Sequence, residues 1–254
     1  MNPVVTAFFH AQSYTWTYLV RDPASTAAVI IDPCLDFDAK AGRTGTASAQ
    51  AVLDAVAQQG LELMWILETH AHADHLSAGR WLKSQCPQAR LAIGQGIREV
   101  QRTFKPVFNL GEDFATDGRQ FDHLFEDDEH FAVGTLTGRV LATPGHTRSH
   151  VVYRGEGQLF CGDVLFSLGC GRVFEGVPAQ MLAALDRIAA LPDETEVYCA
   201  HEYTLANARF ALAVDPDNAD LRARIATVRA LRELGQPSVP TRLGDERRCN
   251  PFLR

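Results

Sequence analysis

Four side chains of the types that bind metal ions fall within six residues of this sequence. His70, His72, Asp74 and His75 are separated by alanines and follow the apolar run 64–67 closely. That run predicts a buried strand. If the chain stays extended just past its end, His70 and His72 point the same way, because side chains alternate with a period of two. Imidazole and carboxylate ligands suit zinc, iron or manganese, so the stretch predicts a metal site.

The same stretch predicts a second metal position. Asp74 is a good helix N-cap residue, and the apolar and small residues of 76–82 favour a helix. The turn into that helix would swing Asp74 and His75 away from the first pair and towards another ion. The alternative is a polar loop with solvated histidines.

Three later apolar runs each lead into another potential ligand. The first, residues 140–142, is followed by His146, the run 159–161 by Asp163, and the run 197–199 by His201. Taken alone, each of these residues would more often have a role in the core or in a turn. Together with the first stretch, they predict seven ligands delivered from the ends of strands.

Composition limits the class of protein. The chain has 254 residues, of which 46% are hydrophobic and 22% charged, which favours a large domain with an appended subdomain. The net charge of -7, with Lys and Arg scattered, argues against nucleic acid and for a small-molecule substrate. No apolar stretch reaches the roughly 20 residues that span a bilayer, and no basic signal-peptide start is present, so a membrane partner is not expected. Six dispersed cysteines suit reduced thiols and a cytoplasmic location.

Hydrophobic periodicity predicts the elements that must position these residues. In chain order, the first half is predicted to contain a strand in 4–20, a strand at 27–31, a loop at 36–46, a helix around 52–59, the strand at 64–67 and a strand at 91–94. Residues 101–129 fit neither the helical nor the strand period, which predicts a long ordered loop that packs through its phenylalanines.

From Pro178 the pattern becomes helical. One helix begins at Pro178, a second covers 204–214, and a third is capped by Asn218 and ends at Gly235. Strands with helices between them, followed by helices alone, predict two packed layers of sheet with a helical subdomain over the site. The predicted domains are a metal-binding domain at 1–176, completed by a strand around 196–201, and a largely helical region at 177–254 that covers the substrate site.

The T-H-x-H-x-D-H run, taken with His146, Asp163 and His201, resembles the metallo-β-lactamase superfamily. This resemblance implies an αββα sandwich with a metal site between two sheets. The second half is similar to glyoxalase II, the hydroxyacylglutathione hydrolases, in residues 162–166, 169–176, 199–204 and 250–254. Within the first half, residues 32–44 and the order of residues in 70–75 are more similar to persulfide dioxygenases.

The resemblance to glyoxalase II implies roles for individual residues. One ion would lie on His70, His72 and His146, a second on Asp74, His75 and His201, with Asp163 bridging both. Zinc fits best, with iron or manganese as alternatives. The implied reaction is hydrolysis of a glutathione thioester, such as S-lactoylglutathione in methylglyoxal detoxification, by a hydroxide held between the ions. Asp74 and Asp163 would be catalytic, and Arg172, Phe174 and Tyr203 would bind the substrate, although a core role for Tyr203 is equally open.

Two alternatives stay open. A persulfide dioxygenase would need one Fe(II) on His70, His146 and Asp163, a facial triad that leaves positions free for oxygen. Residues 174–176 and 201–204 favour the hydrolase over this enzyme. The other alternative is a metal-binding protein without catalysis. No metal role is predicted for the remaining histidines His10, His123, His130 and His150. No catalytic role is predicted for any cysteine, and the protein is expected to be a monomer or a homodimer.

Overall fold

A computed structural model describes residues 2–254, in which strands and helices alternate along the first half of the chain. In chain order the elements of this half are β1 (Val4–His10), β2 (Thr15–Arg21), β3 (Ala27–Ile31), β4 (Cys34–Asp38), β5 (Arg43–Gly45), α1 (Ala47–Gln58), β6 (Glu62–Leu67), β7 (Leu76–Ser77), α2 (Gly79–Gln85), β8 (Arg90–Gly94), α3 (Ile97–Val107) and β9 (His123–Phe125).

The second half contains the remaining strands and ends in helices. Its elements are β10 (His130–Val133), β11 (Leu136–Ala142), β12 (Val151–Arg154), β13 (Gln158–Gly162), β14 (Leu165–Phe166), β15 (Gly169–Cys170), α4 (Pro178–Ala189), β16 (Glu196–Cys199), α5 (Thr204–Val214), α6 (Ala219–Glu233), β17 (Thr241–Arg242) and α7 (Leu243–Cys249). None of the helices within residues 2–254 is both long enough and apolar enough to cross a membrane.

Two six-stranded sheets position the site. The first has the order β1-β2-β3-β6-β8-β9 and the second the order β10-β11-β12-β13-β16-β17. Strands β3, β6, β8 and β9 are parallel, so their carboxyl ends meet at one edge of the first sheet. Parallel strands are usually covered on both faces, which explains the continuous apolar run of 64–67. The chain leaves this edge directly into residues 68–75.

The two sheets pack face to face with helices outside them. Along β3, Val29 and Ile31 join the core between the sheets, whereas Ile30 faces outward and packs against α1 and α2. On the other side, Leu185 and Ile188 of α4 join the core that includes the second sheet. Each fully buried aliphatic side chain of this kind contributes about 1.5–3 kcal/mol. The layers are therefore helix, sheet, sheet and helix, which confirms the predicted αββα sandwich.

The C-terminal helices agree with the sequence prediction because their end signals are local. Pro178 is the first residue of α4, and the Asn218 side chain accepts the Leu221 N–H at 3.0 Å to cap α6. Helices α5 and α6 pack together in a small core of their own, while α4 packs on the main core and β17 pairs with β16. The division at residues 176 and 177 stays a prediction.

A buried carboxylate fastens the end of the chain to the sheet region. Glu246 in α7 accepts hydrogen bonds from the Ser167 hydroxyl, the Leu168 N–H, the Thr241 hydroxyl and the Asn250 amide. Four donors satisfy both oxygens of a buried group that would otherwise be costly. Residues 241–250 are thereby held against the segment that follows Asp163.

Two predictions for the first 46 residues are wrong. The segment 4–20 forms two antiparallel strands, β1 and β2, because the chain reverses at residues 11–14, where Tyr14 takes a φ of 54°. That turn contains no glycine or proline, the residues that mark turns most strongly, so the reversal was not predicted. The segment 36–46 is mostly a second hairpin, β4 with β5, in which Gly42 has a φ of 60°.

The long loop predicted for 101–129 is also partly wrong. Residues 101–107 belong to α3, whose apolar stripe begins at Ile97 and Val100 and continues to Phe104. The predicted loop began at residue 101, in the middle of this stripe, so the helical period was not recognised. Residues 123–125 form β9, where Phe125 is buried, while Phe108 is exposed.

The helix predicted for 76–82 begins later than expected. Leu76 and Ser77 form β7, which pairs with β4, and α2 starts at Gly79 with Ala78 as its N-cap residue. Asp74 is therefore not a helix cap. Pairing with β4, a contact distant in sequence, overrides the local helix preference.

Candidate metal centre

All seven predicted ligands meet at one edge of the sandwich. His70 follows β6, His146 follows β11, Asp163 follows β13 and His201 follows β16. The His146 Nε2 atom lies 3.5 Å from Asp163 Oδ2, and the His201 Nε2 atom lies 3.4 Å from Asp163 Oδ1. Asp163 thus presents a different oxygen to each of two histidines.

The ligand atoms fall into three overlapping groups, within each of which they lie no more than 4.8 Å apart. The groups are His70, His146 and Asp163, then Asp74, Asp163 and His201, then His72, Asp74 and His75. Asp74 Oδ2 is 3.2 Å from His201 Nε2, which links the second group to the loop 70–75. His72 groups with Asp74 and His75, while its ring centroid is 4.1 Å from that of His70.

Several atoms of these residues are buried without a hydrogen-bond partner. They are His70 Nε2, His72 Nδ1 and Nε2, His75 Nε2, His201 Nε2 and Asp163 Oδ1. Buried polar atoms in native proteins are almost always hydrogen-bonded, so a cluster of six such atoms needs a common partner. Imidazole nitrogens and carboxylate oxygens are the donors that divalent transition metals accept, and the residues therefore fit such ions.

The protonation states of three of these residues suit metal binding directly. Burial, followed by the nearby His72, lowers the pKa of His70 well below its ordinary value, and burial lowers that of His75 to about 3. Burial raises the pKa of Asp163, but the hydrogen bond and charge of His201 outweigh it and hold that pKa at about 2. Burial also acts to lower the pKa values of His72 and His201, but nearby carboxylates outweigh it and raise both. Metal ions bind neutral imidazoles and ionised carboxylates, so His72 and His201 would release any extra proton on binding one.

Asp32 is a supporting residue that the sequence analysis did not identify. Its Oδ1 atom accepts the Thr69 N–H at 2.7 Å, and its Oδ2 atom accepts the Thr69 hydroxyl at 2.8 Å. Asp32 Oδ1 also lies 3.4 Å from His72 Nε2. Asp32 therefore fixes the start of the loop 70–75. The signal in the sequence is an aspartate ending a wholly apolar strand.

His150 is a second supporting residue that was not identified. Its Nε2 atom accepts the Asp163 N–H at 3.1 Å, so the proton is on Nδ1, which faces the Thr143 hydroxyl at 3.0 Å. The ring stacks on His70 at 4.8 Å. Burial lowers the pKa of His150 to about 3, which keeps the ring neutral. His150 thus holds Asp163 and His70 in place with both ring nitrogens engaged.

Two glycines allow the backbone to approach the ligands closely. Gly162 has a φ of 50°, and a Cβ atom there would lie 2.5 Å from Thr69 Oγ1 and 2.7 Å from His150 Nε2. At Gly171 a Cβ atom would meet the Asp163 carbonyl oxygen at 1.8 Å. Any other residue at either position would displace the groups that hold Asp163.

The three predicted substrate residues lie beside this centre. The Tyr203 ring stacks on His201 with a centroid distance of 4.6 Å and an interplanar angle of 1°. Burial raises the pKa of Tyr203 to about 12, while the charge of Arg172 acts in the opposite direction. The Arg172 carbonyl accepts the His146 Nδ1–H at 2.8 Å, and the half-exposed Phe174 ring is 6.4 Å from that of His146.

Family models cover most of the chain. Residues 11–201 match the model described as "Metallo-beta-lactamase superfamily", and residues 202–254 match "Hydroxyacylglutathione hydrolase C-terminus". The second match begins directly after His201. The two matches meet at a predicted metal ligand, so both parts of the sequence contribute to the same candidate site.

Individual relatives agree with these models. The chain is 43% identical over 241 residues to the hydroxyacylglutathione hydrolase of Synechococcus sp. (strain JA-3-3Ab), covering 94% of this chain and 84% of the relative. It is 42% identical over 254 residues to the enzyme of that name from Aeromonas hydrophila, covering 100% of this chain and 86% of the relative.

A solved structure shares the fold over nearly the whole chain. The crystal structure of ETHE1 from Myxococcus xanthus aligns with a TM-score of 0.66 at 27% identity, covering 98% of this chain and 83% of that one.

The relatives named above favour the hydrolase over the persulfide dioxygenase alternative. Three findings lead to one conclusion: the superfamily match over residues 11–201, the match of 202–254 to a hydrolase C-terminus, and the relatives above 40% identity. The chain belongs to the metallo-β-lactamase superfamily and, within it, to the hydroxyacylglutathione hydrolase family.

Proposed function

We propose that this protein hydrolyses the thioester of an S-2-hydroxyacylglutathione, such as S-lactoylglutathione, and releases glutathione and a 2-hydroxy acid. The observation that carries the proposal is the match of residues 202–254 to the hydroxyacylglutathione hydrolase C-terminus. Tyr203, at the start of that match, stacks directly on His201 of the metal centre. The region that defines the family is therefore in contact with the groups that would perform the chemistry.

The proposed cofactor is a pair of divalent ions, zinc in the first place and iron or manganese as alternatives. Asp163 would contact both ions, because its two oxygens face different groups of ligands. The histidines and Asp74 would complete the two sites. When bound, such a pair supplies a water of pKa near 7 and polarises a carbonyl, so no serine or cysteine nucleophile is needed.

The protein's own residues would fix the geometry of this centre. His150 holds the Asp163 backbone, and the Arg172 carbonyl fixes the tautomer of His146 by accepting its Nδ1–H. With the proton on Nδ1, His146 keeps the lone pair of Nε2, the atom that faces Asp163. Burial of His70 and His201 excludes water from the inner side of the centre. Asp74 is exposed, so substrate would approach from its side.

The glutathione portion would lie along the rim formed by Arg172, Phe174 and Tyr203, with residues 177–254 covering it. Arg172 is exposed, and its guanidinium has no carboxylate partner among residues 2–254, so it is free to bind a carboxylate of the tripeptide. Phe174 offers half of its ring to the substrate. We further propose a cytoplasmic location for the enzyme, since its six cysteines are free thiols.

Replacing Arg172 with alanine is expected to raise KM for a glutathione thioester by one to two decades with little change in kcat. A charge-assisted hydrogen bond contributes roughly 1.5–3 kcal/mol, and each 1.4 kcal/mol is about a factor of ten. A contact remote from the thioester is made equally in the ground and transition states, so it affects binding and not turnover. Initial-rate kinetics over a range of substrate concentrations measure both constants.

Salt provides a second measurement on the same pair of proteins. The rim is solvated, and the Debye length is about 8 Å at physiological ionic strength, so added salt should raise the wild-type KM and barely move that of Arg172→Ala. Arg222→Ala, which removes an exposed arginine of α6, is the control and should behave as wild type. An unchanged KM in Arg172→Ala, or equal salt dependence in both proteins, would remove Arg172 from the glutathione site.

The test of the proposed function is a pair of assays on the zinc-loaded and the iron-loaded protein. Release of free thiol from S-lactoylglutathione, followed with a thiol-reactive dye, is expected with either metal. Oxygen uptake on glutathione persulfide, followed with an oxygen electrode, is expected to be absent. Oxygen uptake without thioester hydrolysis would overturn the proposal in favour of the dioxygenase.

A further inference from the structure

Glu68 is a buried carboxylate beside the metal ligands that the function proposed above does not use. It directly follows β6, and its side chain is 4% exposed. Its Oε1 atom accepts the Ser77 hydroxyl, whereas its Oε2 atom is buried without a hydrogen-bond partner. The His72 Nε2 atom, which can carry a proton, lies 3.5 Å from Oε2. Leaving a buried carboxyl oxygen unpaired is costly, so Oε2 needs a partner.

Asp32 also faces the same nitrogen but is already engaged. Its two oxygens accept the N–H and the hydroxyl of Thr69, and Oδ1 is 3.4 Å from His72 Nε2. Among the four oxygens of Asp32 and Glu68, Glu68 Oε2 is the one that has no other donor. Glu68 is therefore the carboxylate whose free oxygen is available to the imidazole.

The start of α2 is shaped to hold Glu68 in this position. The Gly79 N–H donates to Ser77 Oγ at 2.9 Å, and the Ser77 hydroxyl in turn donates to Glu68. A Cβ atom at residue 79 would lie 2.6 Å from Glu68 Oε1, so glycine leaves the space that the carboxylate occupies. Ser77 and Gly79 thus fix one oxygen of Glu68 and leave the other facing His72.

We propose that Glu68 is a positioning residue that, together with Asp32, keeps the proton of His72 on Nε2 and reserves Nδ1 for a divalent ion. A neutral imidazole has one N–H and one lone pair, so an acceptor at Nε2 determines which nitrogen can bind a metal. A carboxylate at that position also makes the opposite nitrogen a stronger ligand. Both ring nitrogens of His72 are buried without a hydrogen-bond partner, but Nε2 faces the two carboxylates at 3.4 and 3.5 Å, which leaves Nδ1 for the ion.

This inference rests on the proposed role of His72 as a metal ligand, and its test measures metal binding instead of turnover. Loss of a carboxylate that supports a ligating histidine typically lowers metal affinity about 10–100-fold. Glu68→Gln keeps the shape of the side chain and removes its charge, so the protein should lose affinity by that factor for one of its zinc ions. Zinc affinity is measured on metal-free protein by competition with a chromophoric chelator.

Matched variants separate positioning from folding. Glu62→Gln makes the same change at an exposed residue of β6 and should bind zinc as wild type does. Ser77→Ala keeps the charge of Glu68 but releases its Oε1 atom, and should lower the affinity in the same direction by a smaller factor. The metal-free Glu68→Gln protein should unfold near the wild-type Tm, while its rise in Tm on adding zinc should be smaller, because ligand stabilisation follows affinity.

A spectroscopic measurement examines the imidazole itself. In the zinc-loaded protein, the Nε2 proton of His72 should give a downfield, exchange-protected NMR signal that moves upfield in Glu68→Gln. Equal zinc affinity in folded Glu68→Gln and wild type would overturn the inference while leaving thioester hydrolysis untouched. A wild-type protein that binds zinc but releases no thiol, with the affinity loss still present in Glu68→Gln, would support the inference and overturn only the proposed reaction.

Discussion

Replacing Asp163 with alanine is expected to abolish measurable thioester hydrolysis and to leave the purified protein with less than one divalent ion per chain. Asp163 Oδ2 faces His70 and His146, and Oδ1 faces His201, so both groups of ligands lose a member at once. Loss of a single donor to a developing oxyanion already lowers kcat about 10²–10³-fold. Asp163→Ala would also remove a ligand from the ions that polarise the carbonyl. Activity should therefore fall by about a thousandfold or more.

The comparison with Asp74→Ala makes this prediction specific to a bridging residue. Asp74 is exposed and lies 3.2 Å from His201, and neither oxygen approaches the His70 and His146 pair within the groups described above. Asp74→Ala should keep more metal and more activity than Asp163→Ala. Metal content by atomic emission and hydrolysis by thiol release measure the two effects. Equal metal content in the two variants would contradict a bridging role for Asp163.

Replacing His201 with alanine is expected to lower hydrolysis at least about a hundredfold, the upper range for loss of support to a metal site. His201 lies against Asp163 and Asp74 and also stacks on Tyr203, so the change affects the second metal position and the substrate rim together. His130→Ala is the matched control, because His130 is exposed on β10 and has no predicted metal role. That control should keep wild-type activity.

The same variant distinguishes the hydrolase from the dioxygenase alternative. A mononuclear iron site on His70, His146 and Asp163 does not require His201. If His201→Ala kept most of its activity and consumed oxygen on glutathione persulfide, the two-ion hydrolase would be excluded. Loss of thiol release with no oxygen uptake in either protein is the outcome expected here.

The sequence by itself determined the residue types at the metal centre and the elements that carry them. An apolar run ending in a histidine or aspartate is a local signal, and it identified His70, His146, Asp163 and His201 as residues at strand ends. Helix ends are local as well, since Pro178 and the Asn218 cap act within one turn of their own helices. These parts of the fold needed no knowledge of distant contacts.

Only the tertiary structure decided how those residues support one another. Asp32 binds Thr69 across 37 positions of sequence, and the Ser77 hydroxyl together with the space left by Gly79 holds Glu68 beside His72. The strand β7 at 76–77 likewise exists because it pairs with β4, although its sequence favours a helix. Pairing and burial between distant segments outweigh the local preference for a helix. The reason is that buried N–H, C=O and polar side-chain groups must find hydrogen-bond partners where the tertiary structure places them.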